Sequence, residues 1–291
     1  MKRFVLYFFL LVSSIAVLAI AVDYVNVRLI RASTGNSAYK MERLYSNPEP
    51  DEIAIIGSSR ALGNFVPSII SPRCFDYGVS AMRMREITFL LEVLQKRETQ
   101  APVIVNLDPW GAFGSTTFVA DYRLAPQSGR LAVSDCIPGV RFFGTLRKNL
   151  VSMMNAKKSV TSVVDRGANL LKESRSTEEW AVINSKLTAQ GFSGDIQAER
   201  RLQDVLQSFS PRKVYLVVGP CSSAWMDKFT GRAALEAFLG RVDAPNVTVL
   251  NFFGSSDFSD ADFTDPTHFN LEGARRFSEL LKSRLASLES R

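Results

Sequence analysis

The chain has 291 residues, of which 46% are hydrophobic and 22% charged; that is length enough for a packed core and too apolar for wholesale disorder. Thirty-five Lys and Arg against 29 Asp and Glu leave a formal net charge of +6. The basic residues are dispersed, with no zinc-finger spacing and no dense basic run, so a nucleic-acid reader is not indicated.

Lys2 and Arg3 precede an uncharged run, Phe4 to Val22. Such a run spans roughly 28 Å as a helix, close to the hydrocarbon thickness of a bilayer. Residues 1–22 are therefore expected to form a signal-anchor transmembrane helix. The basic leader would stay in the cytoplasm and the bulk of the chain would lie outside the cytoplasmic (inner) membrane, in the periplasm or at the cell surface. Ala19-Ile20-Ala21 resembles a signal-peptidase site, so cleavage stays open as an alternative. Residues 23–50 are polar and end in Asn47-Pro48-Glu49-Pro50, which reads as an irregular juxtamembrane stalk.

From residue 51 to 291 a single α/β domain is expected. Five apolar, β-prone stretches run from Ile53 to Ile56, Cys74 to Tyr77, Pro102 to Leu107, Lys213 to Val218 and Val247 to Phe252. Helical periodicity appears between them, as in Ile87, Leu90, Leu91 and Leu94. It returns in the last segment through Leu271, Ala274, Phe277, Leu281, Leu285 and Leu288, with Asn270 as the N-cap. Short strands alternating with helices predict an open parallel sheet of about five strands with helices on both faces, a three-layer α/β/α architecture. About a hundred residues, roughly 112 to 210, separate the third strand from the fourth, too many for a plain crossover. They include an apolar, basic segment from Val140 to Lys158 and a charged helical stretch from Ile196 to Gln207. This insertion is expected to pack as a helical cap near the site. Its Phe142-Phe143 and Met153-Met154 pairs would lie in the core, or else face a partner or the membrane surface.

Three cysteines, Cys74, Cys136 and Cys221, have no metal-ligand spacing and an odd count, so each is expected as a buried free thiol. Neither a metal nor a cofactor is indicated.

In open α/β sheets, reactive groups gather beyond the carboxyl ends of the strands. Ser59, Gly78, Asp108, Cys221 and the loop from Asp265 to His268 all follow predicted strands. His268 is the one histidine of the chain, and so the one side chain with an ordinary pKa near neutrality. A serine hydroxyl needs a base to take its proton, and that base needs an acceptor to hold its tautomer. Asp265 and His268, three apart on one loop, supply that pair, and Ser59 follows the Gly57-Ser58 turn at the end of the first strand. Ser58 is the nucleophile instead if the turn is shifted by one. Arg60 either clamps an anionic substrate or pairs with Asp108 or Asp76. Trp110 and Trp225 either flank the cleft as stacking surfaces for sugar rings or fill space beneath the cap.

These blocks resemble the SGNH (GDSL-type) hydrolase superfamily, from about residue 51 to 288 without the insertion. Its strand followed by Gly-Asp-Ser is similar to Ile55-Ile56-Gly57-Ser58-Ser59-Arg60, with Ser58 where the family has aspartate. Its final Asp-x-x-His matches Asp265 and His268. The resemblance implies Ser59 as nucleophile, His268 as base, Asp265 as its orienter, and an oxyanion hole containing the N–H groups of Gly78 and Ser59. Where the family has Gly-x-Asn, this chain reads Val105-Asn106-Leu107-Asp108. Register favours Asp108 at the asparagine position, and Asn106 serves if the strand ends early. A carboxylate donates only when protonated, and a lost oxyanion donor costs about 10²–10³ in rate. With the membrane span, the chain looks like the membrane-anchored branch that O-acylates cell-envelope polymers, as in teichoic acid D-alanylation and alginate O-acetylation. That likeness implies an acyl-serine intermediate, a membrane-bound O-acyltransferase as partner and an envelope polysaccharide as acceptor. An extracytoplasmic carbohydrate esterase or deacetylase and a non-catalytic envelope subunit are the alternatives.

Overall fold

The computed structural model describes residues 1–32, 34–110, 129, 133–138, 140, 162–192, 194–242 and 244–290. They fall into two compact units: Met1–Tyr45 with the described part of Ala120–Val160, and Ser46–Val119 with Thr161–Arg291.

In the first unit, helix α1 runs from Lys2 to Arg31 and is long and apolar enough to cross a membrane. Helix α2 covers Ser37–Ser46. The expected irregular stalk is thus largely helical: α1 continues past Asp23 for more than two turns, and α2 follows after a short break. Two local features account for this. Asn36 accepts the Ala38 N–H through its side chain at 2.9 Å, as an N-cap does. Ala38, Met41 and Leu44 then recur at a spacing of three and are all buried, a helical stripe within a polar stretch.

The second unit is a three-layer α/β/α fold. Strands β1 (Ile53–Ile56), β2 (Cys74–Asp76), β3 (Val103–Asn106), β7 (Val214–Val218) and β9 (Val247–Asn251) form one sheet in the order β2-β1-β3-β7-β9. Every neighbouring pair is parallel. β1 to β3 and β7 are buried at every residue, which is why they read as unbroken apolar runs. Ile53, Ile55, Ile104, Tyr215 and Val217 share one core with Phe65, Phe277 and Leu281. Helices α3 (Ser59–Asn64), α4 (Pro67–Ile70) and α5 (Met84–Gln95) follow the first strands. The order reverses beside β1, and the ends of β1 and β3 lie side by side there, the usual place for a site.

Between β3 and β7 the described part of the insertion is more than helices. It holds an antiparallel hairpin, β4 (Ser162–Asp165) with β5 (Ala168–Leu171), then helices α6 (Thr177–Ser185) and α7 (Ile196–Ser208). A two-residue parallel pair joins β6 (Gln190–Gly191) to β8 (Phe229–Thr230). The hairpin turn docks on β2: Asp76 N–H donates to Arg166 O at 2.8 Å, and Arg166 Nε donates to Cys74 O at 2.6 Å. Phe142, Phe143, Met153 and Met154 lie outside the described residues. Helices α8 (Ser223–Asp227), α9 (Arg232–Arg241) and α10 (Leu271–Glu289) complete the fold. The Asn270 side chain caps α10 by accepting Gly273 N–H at 2.9 Å.

Candidate active site

The turn that carries Ser59 is built by Gly57 and Ser58. Gly57 has φ of +155°, and a Cβ there would lie 2.8 Å from Asn106 O and 2.9 Å from the Ala61 Cβ, so only glycine lets β3 and α3 approach this closely. Ser58 is buried and N-caps α3, accepting Arg60 N–H at 3.1 Å, and its hydroxyl donates to Asp108 Oδ1 at 2.9 Å. Ser58 is therefore committed to structure. Ser59, the first residue of α3, is half-buried.

His268 reaches Ser59 from the loop before α10. Its Nε2 lies 2.9 Å from Ser59 Oγ. Its Nδ1 lies 2.8 Å from Asp265 Oδ2 and 3.0 Å from Oδ1. The same Oδ1 accepts the backbone N–H groups of Thr267 and His268, each at 2.9 Å, so the carboxylate shapes the loop as well as holding the ring. Burial works against ionisation of Asp265, but the hydrogen bonds from the imidazole and the two backbone N–H groups outweigh it, and its pKa lies below the ordinary 3.8. The structure thus brings Ser59, His268 and Asp265, spread over more than two hundred residues, into one hydrogen-bonded chain. With a carboxylate accepting from Nδ1–H, Nε2 presents a lone pair to the serine hydroxyl.

The oxyanion residues fare differently. The Gly78 N–H donates to the Asp76 carboxylate, so it is engaged at home. A Cβ on Gly78 would lie 2.8 Å from both Ala61 Cβ and Leu62 N, and the glycine is explained by that close packing on α3. Asp108 does not stand in for an amide donor: its buried carboxylate accepts from Ser58. Burial pushes its pKa up, while the Arg60 guanidinium and the Ser58 hydroxyl oppose the shift. Asn106 ends β3, and its carboxamide is buried beside Asp108 without a hydrogen bond of normal length. The Ser59 N–H, at the first position of α3, is not engaged within the helix.

Arg60 does not clamp a substrate. It is fully buried, with Nε on Thr267 O at 3.2 Å, Nη2 on Pro220 O at 2.6 Å and Nη1 3.9 Å from Asp108 Oδ1. The ion-pair alternative holds in this looser form. Trp110 is half-buried, with the Arg60 guanidinium 5.5 Å from its ring. Trp225 is buried in a cluster with Trp110, Phe229 and Phe253, so it fills space and presents no face to a sugar.

Cys74 and Cys221 are buried as expected, whereas Cys136 is exposed; it lies in a 3-10 turn, Val133–Cys136, outside the sheet core. Burial pushes the Cys221 thiol up to about 11, which leaves it inert beside the triad. Among the described residues no group of three or more His, Cys, Asp or Glu side chains could hold a metal ion. A groove of about 580 Å³ along β9, lined by Phe253, Asp257 and Arg284 among others, includes none of the triad.

One residue escaped the sequence reading. Asn64, at the end of α3, is buried and donates to Thr267 O at 3.1 Å while accepting Phe269 N–H at 3.0 Å. The only signal for it was its i,i+4 spacing from Arg60. In comparison with known proteins, no family model matches this chain and no curated protein matches it, so the chemistry of the site is read from its geometry.

Proposed function

We propose that this chain is a membrane-anchored, serine-dependent O-acyltransferase. It would act outside the cytoplasmic membrane on a cell-envelope polysaccharide or related polymer, beside a membrane-bound O-acyltransferase. One observation carries the reading: Ser59 Oγ, His268 Nε2 and Nδ1, and the Asp265 carboxylate form a continuous relay at distances of 2.8–3.0 Å. In the first half-reaction Ser59 Oγ bonds to the acyl carbon of a donor ester and its proton passes to His268 Nε2. The tetrahedral adduct then breaks its bond to the leaving oxygen, which takes the proton from the imidazolium. In the second half an acceptor hydroxyl gives its proton to Nε2, attacks the acyl-serine, and Ser59 leaves reprotonated. The apolar α1 and the likeness of the Gly-Ser-Ser and Asp-x-x-His blocks to SGNH enzymes support the export, the acyl chemistry and the polymer acceptor.

A second reading, a non-catalytic envelope subunit of the same fold, is favoured by the Gly78 N–H, which is engaged by Asp76 and so withheld from an oxyanion. Fluorophosphonate treatment of the full chain in detergent separates the two. An adduct on Ser59 that disappears in His268→Ala supports the transferase; no adduct on folded protein supports the subunit. Trapping an acyl group on Ser59 from an activated ester, and its release by sugar hydroxyls faster than by water, distinguishes transferase from esterase.

A further inference from the structure

The hydrogen bond between Ser59 and His268 is partly exposed and joins segments 209 residues apart. One such bond is worth about 1 kcal/mol net, too little to register a base to a nucleophile against loop motion. The registration comes from elsewhere on α3. Arg60 Nε and Asn64 Nδ2, one helical turn apart, both donate to the carbonyl of Thr267, the residue before His268. Asn64 Oδ1 accepts the N–H of Phe269, the residue after it. The peptide groups on either side of the imidazole are therefore gripped by the helix that carries the nucleophile. Both side chains are almost wholly buried, at 0% and 1% exposure, and the bond from Phe269 N–H to Asn64 is itself buried, so water competes little for it. Arg60 is held in turn by Pro220 O and by Asp108, and Asp108 accepts from Ser58, the residue before the nucleophile. The contacts close a ring through Ser58, Asp108, Arg60, Thr267, Asn64 and Phe269, with Ser59 and His268 on its rim.

We infer that Arg60 and Asn64 are positioning residues that set the distance and angle between His268 and Ser59. The kinetic consequence rests on the proposed acyl transfer; the geometric content does not. Lysine cannot replace Arg60, because one ammonium cannot reproduce the fork that binds the Thr267 and Pro220 carbonyls. Aspartate at Asn64 keeps the acceptor for Phe269 N–H but sets a carboxylate oxygen against Thr267 O.

The test uses the full chain in detergent with Asn64→Asp, Asn64→Ala and Arg60→Lys. Two readouts are taken: the labelling of Ser59 by a fluorophosphonate, resolved into kinact and KI, and the ring nitrogen resonances of the imidazole. The chain has one histidine, so that spectrum needs no assignment. A misplacement of about 1 Å can cost roughly 10²-fold in rate; kinact is expected to fall by about that factor with KI little changed. The ring nitrogens should shift as the bonds to Ser59 and Asp265 loosen. A purely structural role would lower the melting temperature and leave both readouts of the folded protein unchanged, and that result would overturn the inference. If the wild type does not label, the proposed function fails, and the imidazole spectra alone decide: shifted signals support the positioning role and unshifted ones refute it. Asn64→Asp is nearly isosteric and keeps the test open should Arg60→Lys not fold.

Discussion

The most telling perturbation is Asp265→Asn. In the wild type, Oδ1 accepts two backbone N–H groups at 2.9 Å, from Thr267 and His268, while Oδ2 faces His268 Nδ1 at 2.8 Å. Those two backbone donors, at about 1 kcal/mol each, fix which atom of an asparagine is the oxygen. The amide nitrogen then falls on the Oδ2 position and presents a donor to Nδ1. Nδ1 must accept, the ring proton moves to Nε2, and Nε2–H points at Ser59 Oγ, where a lone pair is needed. Tautomer inversion of this kind costs about 10⁴-fold in a buried triad, or about 5 kcal/mol. Here the Asp265 and His268 side chains are 39% and 22% exposed, so water can support the ring in part and the expected loss is smaller, between about 10² and 10⁴-fold. The assay is the pseudo-first-order rate at which a fluorophosphonate labels Ser59 in the full chain in detergent, followed by intact mass. The loop keeps its backbone bonds in Asp265→Asn, so its melting temperature should fall by no more than about 3 °C, less than that of Asp265→Ala, which loses them. A labelling rate within about threefold of wild type on folded Asp265→Asn protein would refute the tautomer argument.

Three further outcomes follow from the same geometry. The Asp265 carboxyl has a folded-state pKa below its ordinary 3.8, so its ionised form contributes stability above that value, and the contribution is lost as pH falls through the lower folded value; the small gap in melting temperature between wild type and Asp265→Asn at pH 6 should close in acid below 3.8. Ser58→Ala removes the α3 cap and the partner of buried Asp108, and should cost about 1–3 kcal/mol in urea unfolding while Ser59 still labels; loss of the adduct in folded Ser58→Ala would return Ser58 as the nucleophile. Burial pushes the thiols of Cys74 and Cys221 up to about 12 and about 11, so at pH 8.5 under about 1% of either is thiolate, and iodoacetamide should alkylate exposed Cys136 alone until denaturant is added.

Strands β1, β2, β3 and β7 were legible because burial on both faces leaves a continuous apolar run, and the partly exposed β9 through its β-branched Val247, Thr248 and Val249: β1 has its expected bounds and the others differ by one residue at one or both ends. The meeting of Ser59, His268 and Asp265 was legible for a compositional reason, since a chain with one histidine offers one imidazole. Residues whose roles depend on distant segments were not. Arg60 reads as a substrate clamp or as an ion-pair partner of Asp108 or Asp76, and its complete burial depends on the carbonyls of Thr267 and Pro220, roughly two hundred and 160 positions away. Asp108 sits in the register of an oxyanion amide, yet its partner is Ser58, and no local pattern announces that pairing. Gly78 occupies the expected turn, but whether its N–H is available depends on Asp76 two residues earlier. The stalk was misread because its polar composition outweighed a three-residue spacing of Ala38, Met41 and Leu44 that spans barely two turns. The strands of the hairpin β4–β5 pair only with each other, and it escaped because what holds its turn is the end of β2, about ninety residues upstream.

The long separation between Ser59 and His268 has a temporal meaning. A chain is made from its N-terminus at about 5–20 residues per second, so across a separation of 209 residues the imidazole follows the serine by roughly 10–40 s. His268 therefore cannot meet Ser59 until that stretch has been made and the loop from Asp265 to His268 has settled against α3. Every copy cut short before His268 lacks the imidazole. For that interval Ser59 has no imidazole beside it, and the order of the sequence alone keeps the pair apart until the domain folds.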